Sequence, residues 1–178
     1  MQKHLIFFAG FLLFISCSDK LDFKQAEDFR AEPVLSVDLF YTRLNGNDFY
    51  INDTIPIMEI RDTVPFTVFK EKPVKDGLQK IMLYVQVHNE LPAAFQGKIK
   101  FLKNGQPIDS VYADIQSATT NQAFDREYVF TIIKDSVPEI VLTTDLAIHF
   151  QRTDSIDISH DNRMLKAQSR GDFYVVIQ

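Results

Sequence analysis

The sequence predicts an all-β protein, an antiparallel β-sandwich of immunoglobulin-like type. Three observations predict it. Eight short segments are rich in β-branched and aromatic residues, Asn, Gly, Pro and Asp punctuate the stretches between them, and helical periodicity is almost absent. Short strands separated by regular turn signals are the pattern of a sandwich, and 16 Phe with 6 Tyr supply apolar volume for its core. The Cys and Trp pattern of antibody domains is missing, with one Cys and no Trp, so the likeness is one of architecture.

The first element in chain order lies outside that fold. Met1 to His4 carries Lys3 and no acid, Leu5 to Ile15 is an apolar run, and the small residue Ser16 directly precedes Cys17. This is the three-part layout of an export signal. A bilayer-spanning helix needs about 20 apolar residues, so the run is too short to span and stay. Residues 1–16 are therefore expected to be a signal peptide that is removed.

Residues 17–32 form the next element, beginning at the sole cysteine. Ser18 to Glu32 is polar with scattered Leu21, Phe23 and Phe29, and is expected to be a tether with a short helical turn at Phe23 to Phe29. One cysteine cannot form an internal disulfide, and an exported chain has little use for a free reactive thiol. A modified rather than a free Cys17 is expected.

Residues 33–178 are expected to form a single β-sandwich domain, of a size that supports one core. The first strand is Val34 to Leu44, followed by strands at 63–69, 80–88, 97–102, 108–115, 126–133, 139–150 and 172–178. The clearest hairpin joins the fourth and fifth. Asn104-Gly105 stands between two alternating runs, the pair that most readily takes the positive φ angles of a type I′ turn, with Ile99, Phe101 and Ile108 as near partners across it.

The N-terminal segment resembles a bacterial lipoprotein signal, with Phe14, Ile15, Ser16 and Cys17 as its lipobox; Phe14 stands where leucine is usual. That resemblance implies cleavage before Cys17, acyl chains such as palmitate on the new N-terminus, and anchoring in a membrane. Ser18 rather than Asp follows the cysteine, which favours the outer membrane, with the periplasmic face and the cell surface both open. Gln25 to Asp28 resembles a surface-export signal of Bacteroidota lipoproteins, though it starts eight residues after the cysteine rather than next to it. Asn89 to Ser110 is similar to β-sandwich segments of Bacteroidota, Flavobacteria-type, cell-envelope lipoproteins, with an Asn and a Pro ending one strand and a Phe-Leu strand running into a glycine turn.

A tripeptide of Asp, then Ser or Thr, then a small or aliphatic apolar residue recurs at Asp53-Thr54-Ile55, Asp62-Thr63-Val64, Asp109-Ser110-Val111, Asp135-Ser136-Val137 and Asp154-Ser155-Ile156. Composition predicts roughly 0.7 matches, the usual check on short motifs. The excess resembles the acceptor pattern for O-glycosylation of exported Bacteroidota proteins, which makes Thr54, Thr63, Ser110, Ser136 and Ser155 the candidate acceptors. Turns leading into strands would produce the same pattern, since Asp and Ser bond to nearby backbone.

The formal net charge of −5 argues against nucleic acid and against docking on anionic lipid by charge. The common motifs of serine hydrolases, zinc proteases and phosphate loops are missing, so a non-enzymatic protein without cofactor or metal is expected. His88 and His149 read as strand residues. Asp154, Asp157, His160 and Asp161 lie close enough in sequence to offer oxygen and imidazole ligands to a cation, but without the glycine spacing of a calcium loop they read as a solvated loop. Phe40, Tyr41, Phe49 and Tyr50 flank Thr42 to Asp48 and raise the alternative of an aromatic platform for a sugar ring. The functional expectation is an accessory or interaction module of the cell envelope, anchored to the membrane by lipid and holding an envelope protein partner. The alternative is a glycan-binding module beside an outer-membrane uptake system.

Overall fold

The computed structural model describes residues 30–52 and 54–177. The signal peptide, Cys17 and the proposed helical turn lie outside the described residues. Glu32 to Ile177 form one compact unit. In chain order its strands are β1 (Val34–Asn45), β2 (Tyr50–Ile51), β3 (Ile55–Pro56), β4 (Glu59–Pro65), β5 (Leu78–Asn89), β6 (Phe95–Lys103), β7 (Gln106–Ile115), β8 (Phe124–Ile133), β9 (Asp145–Arg152) and β10 (Met164–Val175). A six-residue helix, α1 (Lys72–Gly77), precedes β5, and β2 pairs with β3 as a small separate hairpin.

The protein is all-β, and two four-stranded antiparallel sheets enclose one core. The first sheet has the order β1-β10-β5-β8 and the second β4-β9-β6-β7. Every connection between the long strands crosses from one sheet to the other except the β6–β7 hairpin. First and last strands are thereby paired, an eight-stranded jelly-roll order and not the immunoglobulin-like one the strand pattern suggested. Alternation of apolar and polar residues fixes which side chains face inward, but both topologies demand the same alternation.

β5 shows the alternation at its clearest. Leu78, Ile81, Leu83, Val85 and Val87 are buried while Met82, Tyr84, Gln86 and His88 point outward, the period of two that a half-buried strand requires. Two aromatic groups fill the ends of the core: Phe49 against Phe95, centroids 5.0 Å apart, and Phe66, Phe69 and Phe173 within 5.2 to 6.0 Å of one another. The Asn104-Gly105 turn is as expected, with φ of 50° and 80°. A register shift between Phe101 and Leu102 leaves Ile99 opposite Val111 and Phe101 opposite Asp109, so Ile108 is displaced from the pairing expected of it.

Three strands differ from the sequence reading by more than two residues at a boundary. The segment expected at 63–69 is β4, which runs from Glu59 and stops at Pro65, where the missing N–H ends the ladder and a 3-10 turn at Val68–Lys70 follows. The segment at 139–150 opens with a 3-10 turn, Pro138–Leu142, before β9 begins at Asp145. The last strand starts at Met164, not 172: its inward residues Ala167, Ser169 and Gly171 are too small to register as an apolar face.

The crossing from β5 to β6 is tied by Asn89, which is wholly buried. Its Nδ2 donates to the carbonyls of Ala93 at 2.9 Å and Gln116 at 2.8 Å, and its Oδ1 accepts from the Leu91 N–H at 3.0 Å. One side chain thus satisfies three backbone groups on two segments, those of Leu91 and Ala93 on buried residues.

Candidate functional site

The outward face of the first sheet is a shallow trough. Antiparallel register places the outward side chains in rows, and the middle row reads Tyr41, Gln168, Gln86 and Glu127 from β1 to β8. Gln168 Nε2 donates to Gln86 Oε1 at 2.5 Å, and Gln86 Nε2 donates to Glu127 Oε1 at 3.0 Å. On one side of this row lie Lys166, His88 and Asp125; on the other Asp38, Arg170 and Tyr84. Two adjoining depressions share the middle row, one of about 530 Å³ and one of about 400 Å³. The Arg170 guanidinium sits 4.7 Å from the Tyr84 ring centroid, a cation–π contact that holds both side chains against the sheet.

His88 closes one end of the trough. Its Nδ1 lies 2.6 Å from Asp125 Oδ1 and its Nε2 3.0 Å from Glu90 Oε1, so both ring nitrogens meet carboxylates. The hydrogen bond to Asp125, and then that to Glu90, raise its pKa above the ordinary 6.5, against some desolvation and with Lys166 opposite on β10. A raised folded-state value means the stabilisation is complete below the unfolded value and is lost as pH rises through the folded one. The destabilisation of His88→Asn relative to wild type is therefore expected to be greatest below about pH 6.5 and to shrink at alkaline pH. Denaturant midpoints of the two proteins measured across that range check it; a constant difference refutes it.

His149 is also committed to structure. It is buried on β9 with Nδ1 2.6 Å from Glu59 Oε1 on the neighbouring β4. Arg61 and then His149 hold the Glu59 carboxyl down at about 2, so it stays ionised through ordinary acid conditions.

The acidic segment 154–161 is a structured loop whose carboxylates face different partners. Asp154 accepts from the Ala94 N–H at 2.7 Å, Asp157 from the Ser159 N–H at 2.9 Å and the Tyr50 hydroxyl at 3.0 Å, and Asp161 from the Arg163 guanidinium. Among the described residues no three His, Cys, Asp or Glu side chains converge as cation ligands. Arg152, buried beneath the loop, donates to the Ile156 carbonyl and to the Tyr50 hydroxyl.

The aromatic quartet at 40–50 does not form a platform. Phe49 is core, Phe40 is half-buried against the core, and Tyr50 is turned toward Arg152 and Asp157. Tyr41 alone is open, at 65% exposure, and it stands on the trough. Of the candidate acceptors, Thr54, Thr63, Ser136 and Ser155 are exposed and Ser110 is half-buried. Asp62 and Asp109 each accept a hydrogen bond from the next residue's N–H, at 2.7 and 2.8 Å, so a local turn-forming role accounts for part of the tripeptide pattern. Asp53 lies outside the described residues.

A further surface feature lies at the end of the sandwich where β1 leaves and β10 begins. Ile51, Ile55, Met58 and Ile156 are each 46 to 56% exposed there, around the β2–β3 hairpin and the 154–161 loop. Gln86, Gln168, Glu127 and these apolar residues escaped the sequence reading. The outward positions of β5 were legible as one polar face, but their neighbours on β10 were hidden with that strand.

No family model matches the sequence, and no curated relative matches it. Among solved structures the chain is similar to the infectious bursal disease virus VP2 subviral particle, at 8% identity over 81% of this chain and 32% of that one, with a TM-score of 0.48. It is also similar to desmodium yellow mottle tymovirus, at 8% identity over 83% of this chain and 90% of that one, TM-score 0.35. A third is the enzymatically active domain of bacteriophage CBA120 tailspike protein 4, at 15% identity over 83% of this chain and 19% of that one, TM-score 0.38. The chain spans about a third of the length of the bursal disease virus chains it matches. Similarity this distant carries no argument about what this chain does.

Proposed function

We propose that this chain is a non-enzymatic, lipid-anchored module of the cell envelope that holds a protein partner at its apolar end. The observation that carries the reading is the group Ile51, Ile55, Met58 and Ile156. Ile51 and Ile55 pair across the β2–β3 hairpin, and Arg152 donates to the carbonyls of both Met58 and Ile156, so the four lie on adjoining segments. Exposed apolar side chains brought this close mark a place where another molecule can exclude water. The anchored half of the reading is supported by the resemblance of residues 1–16 to an export signal with Cys17 directly after it, and on this reading the module belongs to the outer membrane. The exposed Thr54, Thr63, Ser136 and Ser155 would carry O-linked sugars on the same reading, since an acceptor hydroxyl has to reach solvent.

Intact-mass spectrometry of the protein extracted from its native membrane tests the anchor. A chain beginning at Cys17 with added acyl mass, lost in Cys17→Ala together with sedimentation in the membrane fraction, is the expected result, and sugar-sized increments in the same spectrum would report glycosylation. An unmodified Cys17 overturns the anchored reading. For the partner, a photo-crosslinking residue at Ile55 is expected to give a discrete adduct in cells that disappears when Ile51 is changed to Lys. Recovery of the protein alone, in crosslinking and in detergent co-purification, overturns the interaction reading.

A further inference from the structure

We propose that the trough on the outer face of the first sheet binds a neutral carbohydrate, with the Gln168–Gln86–Glu127 row pairing its hydroxyls and the Tyr41 ring lying against a sugar face. The surface shares no residue with the apolar end, so this inference stands apart from the partner reading.

The hydrogen-bonding inventory of the row is the first reason. Each primary amide has two N–H donors and a carbonyl, and each carboxylate has two acceptor oxygens. Within the row only two bonds are made, one between the glutamines and one from Gln86 to Glu127. Donors and acceptors therefore remain side by side on rigid strands, a pattern complementary to neighbouring hydroxyls, each of which both donates and accepts.

Tyr41 is the second reason. Of the described aromatic residues it is the most exposed, its hydroxyl has no protein partner among the described residues, and it flanks the row on β1. A ring with one apolar face and a polar tip suits a ligand that offers C–H groups on one side and hydroxyls at its edge.

Charge and shape choose among ligands. Arg126, Lys166 and Arg170 are balanced by Asp38, Asp125 and Glu127, and Arg170 is already engaged with Asp172 at 3.4 Å as well as with Tyr84. An anionic polymer would meet the carboxylate of Glu127 at the β8 end of the middle row. The three rows are spaced by two residues along the strands, so the trough extends about 13 Å along the sheet, long enough for more than one sugar ring. A shallow open site of this kind suits a chain that passes over it rather than a small molecule that must be enclosed.

Affinity electrophoresis of the mature protein in detergent, through native gels containing a glucan, a mannan, a xylan or a galactan, with polygalacturonate as the anionic comparison, tests this. Retardation by at least one neutral polysaccharide is expected, weakened about tenfold or more in apparent affinity by Tyr41→Ala and by Gln86→Ala. Tyr112→Ala, at an exposed tyrosine on the second sheet, is expected to bind as wild type. All three substitutions are at solvent-facing positions, and an unchanged melting temperature verifies that the fold is intact. Free migration in all four neutral gels, retention unaffected by Tyr41→Ala and Gln86→Ala, or stronger retention by polygalacturonate would each overturn the proposal. A crosslinked partner at Ile55 without glycan retention would reject this inference and leave the partner reading standing; the reverse pair of results would do the opposite.

Discussion

Asn89→Ala is expected to lower folding stability by about 3 to 5 kcal/mol, because it takes the partner from three backbone groups, two of them on buried residues, at about 1 to 3 kcal/mol for each buried one before relaxation. Those groups are the Leu91 N–H and the carbonyls of Ala93 and Gln116. A domain is ordinarily stable by about 5 to 15 kcal/mol, so the loss is a large share of the whole. At about 2 to 4 °C per kcal/mol for a chain of this size, the melting temperature should fall by roughly 6 to 20 °C. Asn89→Asp provides a sharper version of the test. It preserves an acceptor for Leu91 but turns a carboxylate oxygen toward two carbonyl oxygens, so it should be at least as damaging as alanine although it is closer in shape. A loss under about 1 kcal/mol for either variant, measured by denaturant unfolding, would mean that water or a shifted bend replaces the side chain.

Asn89 also marks where sequence reasoning reaches and where it stops. An Asn followed by Leu91-Pro92 is readable as the end of a strand, and β5 does end there. The bond to Gln116 is not readable, because it joins residues separated by two strands and a turn. The same division runs through the molecule. β1, β5, β6, β7 and β8 are legible because large apolar residues alternate with polar ones, and the Asn104-Gly105 turn because its φ angles are restricted to few residue types. Most of β10 is not, since its inward residues Ala167, Ser169 and Gly171 are small, and at Gly171 a Cβ would meet the Phe173 ring at 2.9 Å and the Leu39 Cδ1 at 3.3 Å. That one omission concealed the topology, which depends on β10 lying between β1 and β5, and with it the amide row, half of which β10 supplies. The aromatic residues at 40–50 were legible as a group, but the sequence could not show which ring stays outside. Only the register of β1 against β10 places Tyr41 outward beside Gln168.

Gly46→Ala is expected to cost about 3 kcal/mol through a clash that no side-chain rotation relieves. An ideal Cβ on Gly46 would lie 1.9 Å from the Ile158 carbonyl oxygen and 2.7 Å from that of Asp161, and both obstacles are backbone. The close approach exists because the Gly46 N–H donates to the Asp161 carbonyl at 2.9 Å, stitching the turn after β1 to the 154–161 loop. Neither side yields easily. The turn is fixed by Asn45, whose Oδ1 accepts from the N–H of Asn47 and of Asp48 while its N–H donates to Asp48 Oδ2, and the turn delivers Phe49 into the core against Phe95. The loop is held by Arg152 and Tyr50 from beneath. An alanine must therefore lift Phe49 from its packing or push the loop outward, and hydrogen exchange distinguishes the two: faster exchange confined to the Asp161 and Ser159 amides reports the loop, and faster exchange extending to the β1 end reports the turn. Two glycines calibrate the size of the effect. Gly97→Ala should be mild, since its Cβ would make ordinary contacts, with the Ile115 Cδ1 at 3.4 Å and the Ala113 O and Cβ at 3.6 and 3.8 Å. Gly105→Ala meets nothing within 4 Å and should lose only about 1 kcal/mol, from a φ of +80° that alanine disfavours. If Gly46→Ala unfolds no more easily than Gly105→Ala, the turn and the loop are not locked together, and the apolar end that rests on them has no rigid base to present to a partner.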